Sequence, residues 1–352
     1  MLTQIIKNYE LDDVKTLLEQ VENSNGSIFL SQVWLLTWLK SLSEKPLLIV
    51  CKRDSKVLGL AFWGCQKHWL GDKYFLNQTG AHDDDQVWIE HNDIICCTEY
   101  RDDVLAAMLE KLSELTNVGK ITVQTTRSEQ WQHSHYLPAD IEQETNFCAD
   151  LNISGNYIDS LSKNTRASIK RSNKLIEEKF GPIDVTIAQP SEHQDLFKKI
   201  AKIHIVKWGE SDYGSGFTNP KFVEFHEQLL GINNQGNQEY AGKAKLLTVT
   251  AGDFTLGYLY VLISEHQILF YLSAINYADL GNKYKPGLSM HFYAIEHFKK
   301  LGYDRYDFLA GPARYKEQMS NSSYLVYHVV MYKNTFINKA LACIKPFFRR
   351  SK

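Results

Sequence analysis

Two hydrophobic periods alternate along the chain. A period near 3.6 marks helices at residues 11–21 and 32–41, and the opening MLTQIIKNYELDDVKTLLEQ reads as amphipathic helix with acidic residues inside it. Strand-like runs take over in LLIVCKRDSKVLGLAFW, residues 47–63, where two leucine- and β-branched-rich segments flank a polar turn at Asp54. That is a β-hairpin pattern. After a polar, acidic segment come a helix at 101–115 and a strand at 120–125. Residues 131–155 mix polarities around Pro138 and are expected to hold a crossover between two halves.

The second half opens on SLSKNTRASIKRSNKLIEEKFGP, a helix with Ser162 placed as its cap and Gly181-Pro182 as its stop. A strand at 183–188, a long helix at 192–208, the glycine-rich loop GESDYGSGF and a helix at 221–230 follow. Then come a hairpin at 246–262, a third strand at 268–275, a turn, a helix at 288–301 and a strand at 305–309. Three consecutive strands ahead of a helix and one more strand predict a mixed sheet with one parallel pair. Ligands of open sheets settle where neighbouring strands diverge beyond their carboxyl ends, which here is the end of 268–275.

The two hairpins resemble each other. LLTVTAGDFTLGYLYVL, residues 246–262, repeats the pattern of residues 47–63 with one residue deleted, and in both the second strand opens with Leu-Gly. Hairpins are common enough for coincidence, yet the spacing divides the chain into two related α/β halves. The expected division is 1–150, 151–335 and a basic tail, 336–352.

Composition narrows the classes. A chain of 352 residues suits two domains, and 44% hydrophobic with 23% charged residues is a globular balance. The formal charge of -2 excludes a globally basic nucleic-acid binder, so DNA is not an expected partner. No apolar run reaches the ~18 residues of a membrane span, and the start lacks the basic and apolar regions of a signal peptide. Six cysteines without a C-x-x-C pair read as buried free thiols in a reducing cytoplasm. No metal is expected: His133 and His135 lack a helical ligand spacing.

Three segments carry candidate chemistry. In KYKPGLS, residues 283–289, Pro286 suits a helix entry, and Gly287 and Leu288 would present first-turn N–H groups. With Lys283 and Lys285 beside the positive end of the helix, that is an anion site, or else a plain capped helix with two solvated lysines. Lys163, Arg166, Lys170 and Lys174 fall along one helix face without an acidic partner before Glu177, either as a phosphate-binding stripe or as a solvated face. DDDQVWIEHND, residues 83–93, reads as strand around Trp88 and Ile89. Its Asp85, Glu90 and Asn92 are candidates for recognising an amine, with metal coordination or a plain acidic edge strand as alternatives.

The order of three antiparallel strands, turn, helix and strand resembles the core of the Gcn5-related N-acyltransferase (GNAT) fold. The family's loop pattern [Q/R]-x-x-G-x-[G/A] meets Tyr284-Lys285-Pro286-Gly287-Leu288-Ser289 here, keeping Gly287 and a small Ser289. A narrower resemblance, over residues 29–333, is to the CelD-like and Fem-like branch. It rests on Pro286-Gly287, on Asp307-Phe308-Leu309-Ala310-Gly311, on Tyr315-Lys316, on the basic helix KNTRASIKRSNK and on FLSQVWLLTWLKSL.

The resemblance implies an α/β protein of two GNAT-like domains, each a mixed, mostly antiparallel sheet flanked by helices. It implies an N-acyltransferase whose co-substrate is acetyl-CoA or another acyl-CoA, with no metal. The implied acceptor is an amine, such as an amino sugar or a cell-envelope or exopolysaccharide precursor. The backbone near Ser273 and Ile275 would bind the oxyanion, and Lys283, Lys285, Gly287, Leu288 and Ser289 the pyrophosphate. Tyr315 would protonate the leaving thiolate. Asp307 is the candidate base, or else only an organiser of the turn, and Lys316 a phosphate or oxyanion ligand. An aminoacyl-tRNA donor, as in Fem-type enzymes, remains open. So does a non-catalytic binding role in polysaccharide assembly, in which the basic end IKPFFRRSK would dock on an anionic membrane surface.

Overall fold

In chain order the first elements are β1 Leu2–Ile6, α1 Leu11–Gln20, α2 Gln32–Ser41, β2 Leu47–Arg53, β3 Lys56–Gln66, β4 Asp72–Leu76 and α3 His82–Asp85. β5 Ile95–Cys96, α4 Arg101–Ser113, β6 Val118–Thr126, β7 Asp140–Asp150, α5 Lys163–Phe180, β8 Ile183–Ile187, α6 His193–Trp208 and α7 Pro220–Leu229 come next. The chain continues through β9 Ala244–Ala251, β10 Phe254–Ser264, β11 Gln267–Ile275, α8 Tyr277–Leu280, α9 Pro286–Lys300, β12 Arg305–Asp307, α10 Arg314–Gln318 and β13 Ser322–Tyr332. This computed structural model describes residues 1–21, 26–211, 214–232, 242–280, 282–311, 313–336 and 338–339. Contacts divide it into one unit of Met1–Glu144 with the chain from Leu325, and a second of Thr145–Tyr324.

In the first unit the strand order is β1-β2-β3-β4-β6-β13, with β5 beside β3. All pairs are antiparallel except β4 with β6. In the second unit the order is β8-β9-β10-β11-β12-β7, antiparallel except β11 with β12. Each unit thus runs strand, two helices, three antiparallel strands, helix and parallel strand. The sixth strand differs in origin: β13 serves the first unit from the far end of the chain, and β7 serves the second.

The repeated Leu-Gly has a physical reason. At both places the second strand of the hairpin carries a β-bulge, with Leu58 and Leu256 as the extra residues in the register. The following glycine then lets another strand close in. A Cβ on Gly59 would stand 2.8 Å from Cys96 Cβ, and one on Gly257 would stand 2.5 Å from the Ala274 carbonyl oxygen.

Each unit has its own core. In the first, α4 lays Val104, Met108 and Leu109 over Trp63, Leu76 and Val123. In the second, α5 and α9 cover one sheet face, and Ile169, Ile176, Met290, Ala294 and Phe298 are fully buried against Leu259, Val261 and Ile268. Ser162 caps α5 by accepting from Thr165 N at 3.2 Å, and Gly181 ends it at φ 105°. Among the described residues no helix is long and apolar enough to cross a membrane.

Three local expectations change. Residues 2–6 are an edge strand antiparallel to β2, not the start of a helix. Residues 83–93 hold α3 and irregular backbone, and Trp88 and His91 take left-handed conformations at φ 46° and 49° that break a regular extended run. Residues 140–150, in the expected crossover, form a full strand.

Candidate active site

β11 and β12 pair only from Gln267 to Leu269 and from Arg305 to Asp307. Beyond that β11 runs on to Ile275, whereas the chain after β12 turns away at Leu309, whose φ is 57°. Asp307 and Lys316 build this turn. Asp307 is buried, and its carboxylate accepts from Leu309 N at 2.8 Å and from the Tyr324 hydroxyl at 2.7 Å. Lys316 Nζ, also buried, donates to the carbonyls of Leu309, at 3.2 Å, and Ala310. Both groups therefore hold the backbone that ends the parallel pair.

Tyr315 lies between them on α10. Its ring stacks on His291 of α9 at 5.3 Å and 17° and meets Phe308 edge-on at 6.1 Å. Burial, with a smaller contribution from neighbouring Tyr277, pushes its phenol well above the usual range, so it stays protonated at neutral pH. His291 is fully enclosed, with Nδ1 3.1 Å from the Tyr306 hydroxyl. Burial and then the charge of Lys316 push it down to about 3.

The start of α9 approaches the end of β11 through Gly287. A Cβ there would lie 3.2 Å from Ile275 Cδ1 and 3.6 Å from the Tyr277 hydroxyl. Ile275, Tyr277 and Gly287 therefore crowd one end of the widening between β11 and β12. Lys207 Nζ sits 4.7 Å from the Tyr277 ring and 5.0 Å from that of Trp208, a cation over two aromatic faces. Ser273, two residues before Ile275, pairs with Leu259 in the β10 ladder.

The helix start is tied down rather than open. Lys285 takes φ 45° and ψ 52°, a left-handed conformation uncommon for lysine. Ser172 of α5 donates to the Tyr284 carbonyl and contacts that of Lys285 at 3.2 Å, with the Ser289 hydroxyl 2.7 Å away. Because a hydroxyl has one proton, Ser289 donates to Ser172, which then donates onward. Lys285 Nζ donates to Ser168 at 3.1 Å, and Lys283 Nζ lies 4.9 Å from the Tyr284 ring. Pro286 has no N–H, the Leu288 N–H bonds the Lys285 carbonyl at 3.0 Å, and Ser289 is buried. Of the expected cradle, Gly287 and the two lysines can face a ligand.

The basic stripe is less crowded than its sequence. Arg166 folds back to donate to the carbonyls of Asp159, at 3.1 Å, and Leu161, at 2.9 Å, closing the helix start. Lys174 pairs with Glu178 at 3.6 Å, whereas Lys163 and Lys170 are exposed.

Asp85, Glu90 and Asn92 belong to the first unit. Asp85 accepts from the backbone of Thr79 at 2.8 Å and of Gly80 at 2.7 Å, and burial nevertheless lifts it to about 6. Asn92 is fully buried, donating to the Leu76 carbonyl at 2.8 Å and accepting from Asn77 at 3.0 Å. Glu90 is half-buried. Asp85 and Asn92 thus brace loops and do not form an open amine-binding surface.

On the face of β10 and β11 opposite α9 lies a buried chain around His226, which the sequence reads as a packed helix residue rather than a base. His226 Nδ1 is 2.8 Å from the Tyr260 hydroxyl, and Nε2 is 3.2 Å from that of Tyr271, the extra residue of a bulge in β11. Burial holds His226 at about 3, hence neutral. Its stripe of Phe222, Phe225 and His226 reads as ordinary helix packing, and nothing local points to Tyr260 and Tyr271 as its partners. Tyr277, two residues past the expected Ile275, was within reach.

Comparisons with known proteins bear on the fold. Residues 163–317 match the family model described as "Acetyltransferase (GNAT) domain". The fold resembles the crystal structure of FemX, at TM-score 0.54 and 10% identity, covering 94% of this chain and 97% of that one. It resembles L-PGS from Bacillus licheniformis at 0.53 and 11%, covering 97% of each chain. A conserved protein of unknown function from Bacteroides thetaiotaomicron matches at 0.57 and 10%, over 94% of this chain and 100% of that one. A search of curated proteins by sequence gave no match. Residues 163–317 thus match a GNAT domain, and the chain as a whole shares the fold of FemX and L-PGS.

Proposed function

We propose that the protein is an N-acyltransferase that moves an acyl group from acyl-CoA to an amine. The observation that carries this reading is the gathering of Ile275, Tyr277, Gly287 and Tyr315 where β11 runs past β12, within the matched GNAT domain. In the reaction the amine nitrogen attacks the thioester carbon, a C–N bond forms and the C–S bond breaks. The amine loses one proton and the departing thiolate gains one. Tyr315 has the protonated phenol for the second task. Asp307 is better cast as the holder of the turn than as the base, since its carboxylate already accepts from Leu309 and Tyr324. An amino sugar or a cell-envelope precursor is the proposed acceptor.

One observation favours a second donor class. A helix start with Pro286 and an engaged Leu288 N–H offers an anion fewer backbone donors than an open first turn. An aminoacyl donor would ask less of that turn. Calorimetric titration with acetyl-CoA and with a long-chain acyl-CoA decides between them. Binding of either supports the CoA reading, and absence of both from folded protein overturns it. Given binding, Lys285→Glu is expected to weaken it roughly tenfold; unchanged affinity removes the loop from the site.

A further inference from the structure

Away from the GNAT domain, the fold of the first unit joins three side chains that the sequence separates. Glu110 projects from the body of α4, and His133 and His135 stand in the segment between β6 and β7. Their ligand-capable atoms, one from each residue, all lie within 4.8 Å of one another. Glu110 Oε2 is 3.0 Å from His135 Nε2 and 3.4 Å from His133 Nε2. We propose that Glu110, His133 and His135 form a binding site for a divalent transition metal, with zinc the expected ion.

The distances suit it. Ligands about 2.0–2.1 Å from a tetrahedral zinc stand roughly 3.3 Å apart, close to both carboxylate–imidazole separations. Two imidazoles and a carboxylate make a donor set suited to zinc rather than to calcium or magnesium. The same distances allow plain hydrogen bonds, so the scaffold matters. Asn334 N donates to the His135 carbonyl at 2.8 Å, and Tyr136 N to that of His133 at 3.0 Å. The Tyr136 hydroxyl reaches the Leu109 carbonyl on α4 at 3.4 Å, next to Glu110. Helix and segment are thus held in register without the ion, and binding needs no rearrangement of backbone.

One adjustment is required. The His135 N–H points at His133 Nδ1 across 3.4 Å, and that nitrogen must carry the proton once Nε2 ligates. A contact so long gives way at little cost. The side chains of Glu110 and His135 are about half exposed, at 52% and 47%, so the fourth position opens to solvent and takes water. The ion would clamp α4 to the segment that follows β6.

The test is calorimetric titration of chelator-stripped full-length protein with zinc chloride, with thermal melts alongside. One ion per chain is expected, together with a raised melting temperature as zinc is added. Glu110→Gln, His133→Asn and His135→Asn should each weaken binding on the order of tenfold or more, and the triple variant should abolish it. His82→Asn, at an exposed histidine elsewhere in the same unit, should change nothing. Circular dichroism establishes that the triple variant is folded. No binding to the parent protein, or equal binding to the folded triple variant, overturns the proposal.

Discussion

Gly257→Ala tests whether close approach at the bulge sets the end of β11. The glycine has φ 155°, and an added Cβ would lie 2.5 Å from the Ala274 carbonyl oxygen and 2.9 Å from Ile275 Cα. Both are backbone atoms of the neighbouring strand, so no side chain can rotate away and the strands must part. Overpacking of this kind costs about 1–3 kcal/mol, and an unfavourable φ adds about 1 kcal/mol, giving roughly 3 kcal/mol. For a unit the size of Thr145–Tyr324 that is a fall of about 6–12 °C in its melting temperature. Gly155→Ala is the control, because its φ is 96° but nothing lies within 4 Å of the new Cβ. Strain alone there predicts about 2–4 °C. Melts followed by circular dichroism compare the two. A Gly257→Ala protein no less stable than the Gly155→Ala protein would refute the close-approach argument.

The remaining predictions concern single side chains. Tyr315→Phe keeps the ring stack on His291 and removes only the hydroxyl; under the proposed mechanism turnover should fall about 10²-fold or more with donor binding unchanged, and an unaltered rate would remove Tyr315 from the chemistry. Ser172→Ala leaves the carbonyls of Tyr284 and Lys285 without their shared donor, which should cost about 1–2 kcal/mol in urea titrations and weaken donor binding. Asp85, lifted to about 6 by burial, favours its protonated form in the folded state. Its contribution to stability is therefore complete below the unfolded value of about 4 and lost as pH rises through about 6. The urea stability of the parent minus that of Asp85→Asn should decline across that window, and a flat difference would contradict the burial assigned to Asp85.

How much of this was legible in the sequence depended on whether the cause was local. The helix at residues 32–41 and the hairpin at 47–63 appear where the apolar pattern puts them, because the helix packs its apolar side and the hairpin's apolar runs are buried on both faces. β13 was not visible: Ser322–Tyr332 follows a helix and a turn of the second unit, and nothing nearby says that its pairing partner is β6. The acidic segment at 83–93 failed for another reason. Its alternation imitates a strand, but Asp85 binds the backbone of Thr79 and Gly80 and bends the segment into a cap over that loop.

The site shows the same division. Gly287 and Tyr315 stood out because their residue types fit the chemistry at a predictable place, the turn into a helix and the element after the last strand. Asp307 and Lys316 stood out equally, yet they hold the turn, a role the sequence left open for Asp307 and which the bonds to Leu309 and Ala310 decide. Their hold on the turn still shapes the candidate site indirectly. By ending β12 where they do, they open the gap beside β11 and seat Tyr315 on His291. Under the proposed function, donor recognition is constrained in a similar way. Ser172 and Ser289 lock the backbone into α9, so Lys283, Lys285 and Gly287 must do what an open helix terminus would otherwise do. A cradle built from flexible lysines over one glycine neutralises an anion with less geometric discrimination than converging backbone N–H groups. Under the proposed reaction, discrimination among donors then falls to Ile275, Tyr277 and Tyr315, which would wall the acyl group.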